Sequence, residues 1–279
     1  MKPVQRWSLV AAGGGTVILA FLRVLARAGV AKGLDRVSLI DPAVIREVNA
    51  LTCSEYAGHC GKTKVDRLAE LLGQWLEGVK TAILPHEVEN VDWTRLLGAG
   101  DDAEAPAGPV IVLIGLDQWQ SRMNLIEDLR HAAAGKPGVL AIQVAVERDQ
   151  AQVSVFGNRW EDPCPGCGLL QLPASEPCVL FQADGELVRG NLGREAGASA
   201  VLAVRIVTDH LAANGSAGSW VNTKTNLHAV GRGDHRFHRY TRERVRTEGC
   251  LGPHGEATPI RLEDLFRESE EVHHHVCDV

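Results

Sequence analysis

Residues 7–41 read WSLVAAGGGTVILAFLRVLARAGVAKGLDRVSLID, and the order of the parts within this stretch decides the fold. Trp7 to Ala12 is a short, mostly apolar strand that runs straight into Gly13-Gly14-Gly15. From Thr16 the apolar residues recur at helical spacing as far as Ala28, and Gly29 stands where a helix is usually stopped. Arg36 to Ile40 is the next strand, and Asp41 closes it. A strand, a glycine loop, a helix, a strand and an acid form the opening unit of a nucleotide-binding Rossmann-like half. Glycines let a polyphosphate approach the backbone, the helix start offers free N–H groups, and the acid can bond a ribose hydroxyl. The loop does not follow G-x-G-x-x-G: counted from Gly13, the last glycine of that pattern falls on Ile18. A plain strand-to-helix turn is the alternative reading of this loop.

Downstream, the spacing predicts a helix over Lys64–Val79, with Leu68, Leu71, Leu72 and Trp75 on one face, then a strand over Ala82–Val88. Gly98–Pro109 reads as a surface loop. Val110–Ile114 reads as a fully buried strand of the parallel kind, followed by Gly115-Leu116-Asp117, where open α/β sheets bind their ligands. A helix over Ser121–Ala134, a strand over Gly138–Val144, a polar turn over Glu147–Gln150 and a strand over Gln152–Phe156 complete the first half. Glu195–Ala213 is a helix, and Trp220–Ala229 and Phe237–Val245 are two antiparallel strands. The tail from Glu268, with His273 to His275 and Cys277, is polar and frayed.

Composition bounds the function. At 279 residues with 45% hydrophobic and 23% charged residues, the chain has ample material for a core. A net charge of −6 argues against a nucleic-acid binder, which needs a basic surface. The most apolar stretch, Val17–Val30, is broken by Arg23 and Arg27 and is too short to span a bilayer. Seven cysteines at scattered spacings, with no signal peptide, point to a reducing cytoplasm.

Cys164-Pro-Gly-Cys167 and, much later, Cys250-Leu-Gly-Pro-His254 frame the second half. A C-x-x-C pair brings two thiolates to one tetrahedral Zn²⁺, with Gly166 easing the turn, and Cys250 with His254 can close the site. The alternative is a redox dithiol, which belongs at a helix start near the first strands, whereas this pair follows a late hairpin.

Taken in order, these pieces resemble the ThiF/MoeB/HesA family, the bacterial relatives of ubiquitin-activating enzymes. The family's helix end matches Ala28-Gly29-Val30, its strand end matches Leu39-Ile40-Asp41, and its asparagine eight residues on matches Asn49. Its G-x-x-K-V run matches Gly61 to Val65, and its buried strand ending in aspartate, with arginine five residues on, matches Asp117 and Arg122. The hairpin leading to Pro-Cys-x-x-Cys matches Val153–Cys167, and the closing zinc ligands match the Cys250 region. The resemblance runs from about Ser8 to His254.

It implies an α/β, mostly parallel Rossmann-like sheet with helices on both faces, an antiparallel extension and a zinc knuckle. The domain would span 1–265, with the knuckle around 164–167 and 250–254, a crossover loop over about 168–194, and a polar tail over 266–279. The implied activity is ATP- and Mg²⁺-dependent adenylation of the C-terminal carboxylate of a small ubiquitin-like or sulfur-carrier protein ending in Gly. Gly13, Gly14 and Gly15 would cradle ATP, with Asp41 at the ribose, Asn49 and Lys64 at the phosphates, and Asp117 on Mg²⁺. Arg122 would orient Asp117 or contact phosphate. Some relatives take the acyl group on a crossover-loop cysteine, here Cys178, and pass it to a conjugating enzyme; Cys53 and Cys60 flank the nucleotide site as competing thiols. Relatives are commonly homodimers, and neither nucleic acid nor membrane is an expected partner.

Each residue also has a plainer reading: a solvated helix lysine for Lys64, a helix cap for Asp117, a surface charge for Arg122 and a small buried residue for Cys178. The chain departs from the family at Leu51 and Thr52, where an asparagine and an arginine are usual, and only Lys2 and Arg6 stand for its arginine-rich N-terminal segment. Two other functions therefore stand beside adenylation: a non-catalytic scaffold of the same fold, and a nicotinamide-dependent oxidoreductase.

Overall fold

The computed structural model describes residues 5–98, 106, 108–133, 136, 138–147, 150–158, 180–183, 186–189, 193–213, 227–233 and 236–242. Strand β1 (Trp7–Ala12) pairs in parallel with β2 (Leu34–Ile40) on one side and β4 (Val110–Ile114) on the other. Beyond β2 lies β3 (Lys80–Leu84), also parallel, and beyond β4 lies β5 (Val139–Glu147), parallel again. From there the sheet turns antiparallel through β6 (Gln150–Phe156), β9 (Leu227–Gly233) and β10 (Arg236–Arg242). The full order is β10-β9-β6-β5-β4-β1-β2-β3. A separate antiparallel pair, β7 (Leu180–Ala183) with β8 (Glu186–Arg189), falls inside the segment read from sequence as a crossover loop.

Alternation along the central strands builds two cores. Leu9, Ala11, Ile111 and Leu113 pack on one face against α1 (Thr16–Arg27), α3 (Lys64–Trp75) and α6 (Gly193–Ala212). Val10, Ala12, Val112 and Ile114 pack on the other, against α4 (Trp93–Leu96) and α5 (Trp119–Ala133). Every residue of β1 and β4 is therefore buried, which is why both read as near-continuous apolar runs. Helix α1 buries Val17, Ile18, Leu19, Phe21, Leu22 and Leu25, each contributing roughly 1.5–3 kcal/mol by its removal from water. A short α2 (Glu47–Thr52) and a 3₁₀ turn over Ser54–Tyr56 link β2 to α3.

Several boundaries differ from the sequence expectation. The third strand ends at Leu84 rather than running from Ala82 to Val88, because Pro85 has no N–H to continue a ladder, and Val88–Asn90 winds into a 3₁₀ turn. Helix α3 ends at Trp75 rather than Val79; Leu76 leaves the helical conformation and Gly78 takes φ +80°. The last two strands include Leu227–Gly233 and Arg236–Arg242, so the first continues past the expected end at Ala229 and the second starts before Phe237; 220–226 and 243–245 lie outside the described residues. Among the described residues, no helix is long and apolar enough to cross a membrane.

Candidate functional site

The strand order places a topological switch between β1 and β4: the chain leaves β1 toward β2 and β3, then returns to β4 on the other side. In open α/β sheets the crevice beyond the strands' carboxyl ends at such a point is where ligands bind. Here its floor is made by two glycines. Gly13 N donates to Ile40 O (2.8 Å) and Gly115 N donates to Ala12 O (2.8 Å), so the ladder continues one residue past each strand. Gly13 sits at φ +101°, and a Cβ there would lie 2.7 Å from Gly115 O. No side chain fits between the two loops.

Gly14 draws in the residues from the other side. A Cβ on it would meet Lys64 Cβ at 2.9 Å and Asp41 Oδ2 at 3.0 Å, so the loop, the acid after β2 and the start of α3 are in contact. The Asp41 carboxylate accepts from Gly14 N through Oδ2 (2.5 Å) and from Ala43 N through Oδ1 (2.7 Å). Each oxygen keeps a further lone pair for a hydroxyl donor. Lys64 reaches the loop because 43–45 and 61–64 pair edge to edge. Lys64 N donates to Ala43 O (2.9 Å), Ile45 N to Lys62 O (2.8 Å) and Gly61 N to Ile45 O (2.8 Å). Thr63 caps α3 by accepting from Asp66 N, which fixes where the Lys64 stem starts.

Charge at this edge is only partly compensated. Helix α1 has no acidic residue in its first turn and no side-chain cap, so its N-terminal N–H groups carry positive potential outward. Asp117 is exposed, just after β4. Among the described residues, no hydrogen bond or ion pair engages the Lys64 ammonium or the Asp117 carboxylate. A cation, a helix N-terminus and an acid around a side-chain-free floor can hold an anionic group together with a divalent cation.

Other expected residues have structural partners. Arg122 donates from Nε to Leu116 O (2.6 Å) and from Nη2 to Asp117 O (3.5 Å), holding the backbone of the turn that carries Asp117. Asn49 Oδ1 accepts from Arg46 N (2.8 Å) while Asn49 N donates to Arg46 O (2.9 Å), fastening the start of α2. Thr52, where the resemblance leads one to expect arginine, lies against α1: Thr16 Oγ1 donates to its hydroxyl (3.3 Å), which donates to Asn49 O (3.3 Å). Leu51 is exposed. Cys53 is buried, and burial pushes its thiol up from the ordinary value, while Cys60 is exposed. Sequence reasoning passed over Tyr56, whose hydroxyl donates to Gly14 O (2.5 Å) from a buried position. Its signal was a lone aromatic in the polar, glycine-rich run between Thr52 and Lys64.

Cys164, Cys167, Cys178, Cys250 and His254 lie outside the described residues. Among the described residues, no group of three or more His, Cys, Asp or Glu side chains could hold a metal.

No protein-family model matches this sequence, and no curated protein does. Solved structures do match. The chain is similar to E. coli MccB bound to MccA-N7isoASN, with a TM-score of 0.57 and 16% identity over 89% of this chain and 67% of that one. It is similar to E. coli MccB with ATP, with a TM-score of 0.57 and 15% identity over 89% of this chain and 66% of that one. PaaA matches with a TM-score of 0.58 and 14% identity over 85% of this chain and 73% of that one. MccB is a microcin C7 biosynthetic enzyme, and this chain spans about two thirds of its length. At such identities the likeness establishes the fold: a mixed α/β, Rossmann-like sheet shared with MccB and PaaA.

Proposed function

We propose that this protein is an adenylating enzyme of the ThiF/MoeB/HesA type, using ATP and Mg²⁺ to activate the C-terminal carboxylate of a peptide or small protein. The observation that carries this reading is the meeting at Gly14 of Lys64 and Asp41, residues far apart in sequence, beside the switch point. The match to MccB solved with ATP and with MccA supports it. In the reaction a carboxylate oxygen attacks the α-phosphorus as the bond from that phosphorus to the bridging oxygen breaks, so pyrophosphate leaves. Two anions must approach, and the chain's part is to neutralise and position them. Lys64 and the α1 N–H groups face the phosphates, Asp41 accepts from the ribose, and Arg122 fixes the turn that presents Asp117. Mg²⁺ held by Asp117 would supply further charge neutralisation across the phosphates.

The finer parts belong to the same proposal. The substrate is a ubiquitin-like or sulfur-carrier protein ending in Gly, and the Cys178 thiolate attacks the acyl-adenylate carbonyl to form a thioester as AMP leaves, before any conjugating enzyme. Cys164, Cys167, Cys250 and His254 hold a structural Zn²⁺, and the chain works as a cytoplasmic homodimer on no nucleic acid or membrane. Thr52 in place of arginine favours a second reading, a scaffold that binds nucleotide and partner with little turnover. Asp41 at the end of β2 also suits a nicotinamide dinucleotide.

Calorimetry separates these. We expect magnesium-dependent ATP binding that Asp117→Ala weakens at least tenfold, with partner-dependent pyrophosphate exchange in the wild type. Binding without exchange for any Gly-ending carrier or peptide selects the scaffold. Tighter binding of a nicotinamide dinucleotide than of ATP overturns the proposal.

A further inference from the structure

We infer that Tyr56 is a positioning residue for the phosphate chain: it holds the Gly14–Gly15 peptide so that the Gly15 N–H faces the bound anion. The inference rests on the ATP reading above. Tyr56 follows α2 in the 3₁₀ turn that packs under the glycine loop, and only 2% of it is exposed. Its hydroxyl donates to the Gly14 carbonyl, and burial, then the nearby Cys53 and Asp41, push the phenol well up, so the proton stays on the donor. A trans peptide unit is planar, with its C=O and N–H pointing opposite ways, and the described residues contain no cis peptide. Drawing the Gly14 carbonyl toward Tyr56 therefore turns the Gly15 N–H away from the core. The N–H of Gly14 itself is already taken by Asp41, which leaves Gly15 as the first N–H at the head of α1.

A second, separate observation concerns the residue type at 15. Gly13 is glycine because of its positive φ and the Gly115 carbonyl, and Gly14 because of Lys64 and Asp41. Gly15 has neither reason. Its φ of −79° and ψ of −179° suit any residue, and a Cβ there would meet nothing within 4 Å. It is moreover the N-cap of α1, where Ser, Thr, Asp or Asn would fold a side-chain oxygen onto the helix N–H groups with little difference in stability from glycine. Glycine forgoes that and leaves the N–H groups uncovered. Stability therefore decides little between these residues, and what glycine adds is room for an anion to approach those N–H groups.

The test uses the full chain and three probes: ATP with Mg²⁺, inorganic tripolyphosphate, and adenosine. Tyr56→Phe should weaken ATP and tripolyphosphate binding about tenfold, the scale of one misaligned charge-assisted hydrogen bond, and leave adenosine binding unchanged. The Gly15 amide resonance should shift downfield when tripolyphosphate binds the wild type and shift less in the variant. Gly15→Ala guards against a folding defect in Tyr56→Phe. It should still fold, since a Cβ there meets nothing within 4 Å and the smaller unfolded-state freedom offsets the poorer N-cap, yet bind tripolyphosphate about tenfold more weakly. Unchanged tripolyphosphate binding in either variant, or an equal loss for adenosine, overturns the role of Tyr56 while the ATP reading stands. A wild-type protein that binds neither ATP nor tripolyphosphate overturns both.

Discussion

Replacing Gly13 with alanine tests the crossing on which the whole site is built. Two costs can be worked from the structure. At φ +101° an L side chain pays roughly 1–3 kcal/mol for a sparsely populated backbone conformation. The new Cβ would also lie 2.7 Å from Gly115 O and 3.0 Å from its carbonyl carbon. Both are backbone atoms tied to Ala12 by the Gly115 N–H bond, so relief requires moving β4 against β1, an overpacking cost of roughly 1–3 kcal/mol. Together these give about 4 kcal/mol, or a fall in the thermal midpoint on the order of 10 °C for a chain of this size. Gly29→Ala is the internal control: φ is +66° there, but a Cβ meets nothing within 4 Å. Only the backbone cost of about 1 kcal/mol remains. Urea unfolding followed by circular dichroism measures both variants. If they lose equal stability within about 0.5 kcal/mol, Gly13 does not pack against Gly115 and the floor of the site is wrongly assigned.

Other consequences are as direct. Burial raises the Cys53 thiol above its ordinary 9.0 and the Tyr56 phenol above its ordinary 10.0, so the folded chain keeps protons that the unfolded chain has released. Stability should then fall as pH climbs past 9 and more steeply past 10, by up to about 1.4 kcal/mol per pH unit for each group. In Tyr56→Phe the slope above pH 10 should flatten, and a profile parallel to the wild type contradicts the buried phenol. His210 is fully buried and pushed below its ordinary 6.5, so stability should also fall as pH drops below 6.5, an effect that His210→Leu should remove. Elemental analysis should find about one zinc per chain, lost in Cys164→Ser, and an equally stable metal-free protein rules the knuckle out. Enzyme, ATP and a Gly-ending carrier should form a reductant-sensitive adduct that Cys178→Ala abolishes while pyrophosphate exchange survives; persistence in that variant moves the acceptor to another thiol.

The unit from Trp7 to Asp41 was legible in the sequence because its period changes at a visible boundary, from strand to glycines to helix and back. Buried strands such as Val110–Ile114 were legible for a related reason: covering a strand on both faces requires an unbroken apolar run. The third strand was misplaced by a few residues, since Pro85 ends a ladder only when the neighbouring strand's register brings pairing up to it. Lys64 and Asp117 were singled out by the order of motifs, and the structure sets the first beside Gly14 and the second exposed after β4. Asn49 and Arg122 were singled out in the same way, and their side chains hold α2 and the turn at Leu116, bonds that no local pattern announces.

What the sequence determined by itself is local: where strands and helices fall, that glycines follow the first strand, and that an acid closes the second. These follow from periodicity and backbone propensity over a few residues. The tertiary structure decided which distant residues share one site. That Gly13 crosses Gly115, that Gly14 touches both Asp41 and Lys64, and that Tyr56 bonds the Gly14 carbonyl all depend on strand order and on the pairing of 43–45 with 61–64. Close packing sets those contacts to within tenths of an ångström, and it is a property of the assembled chain.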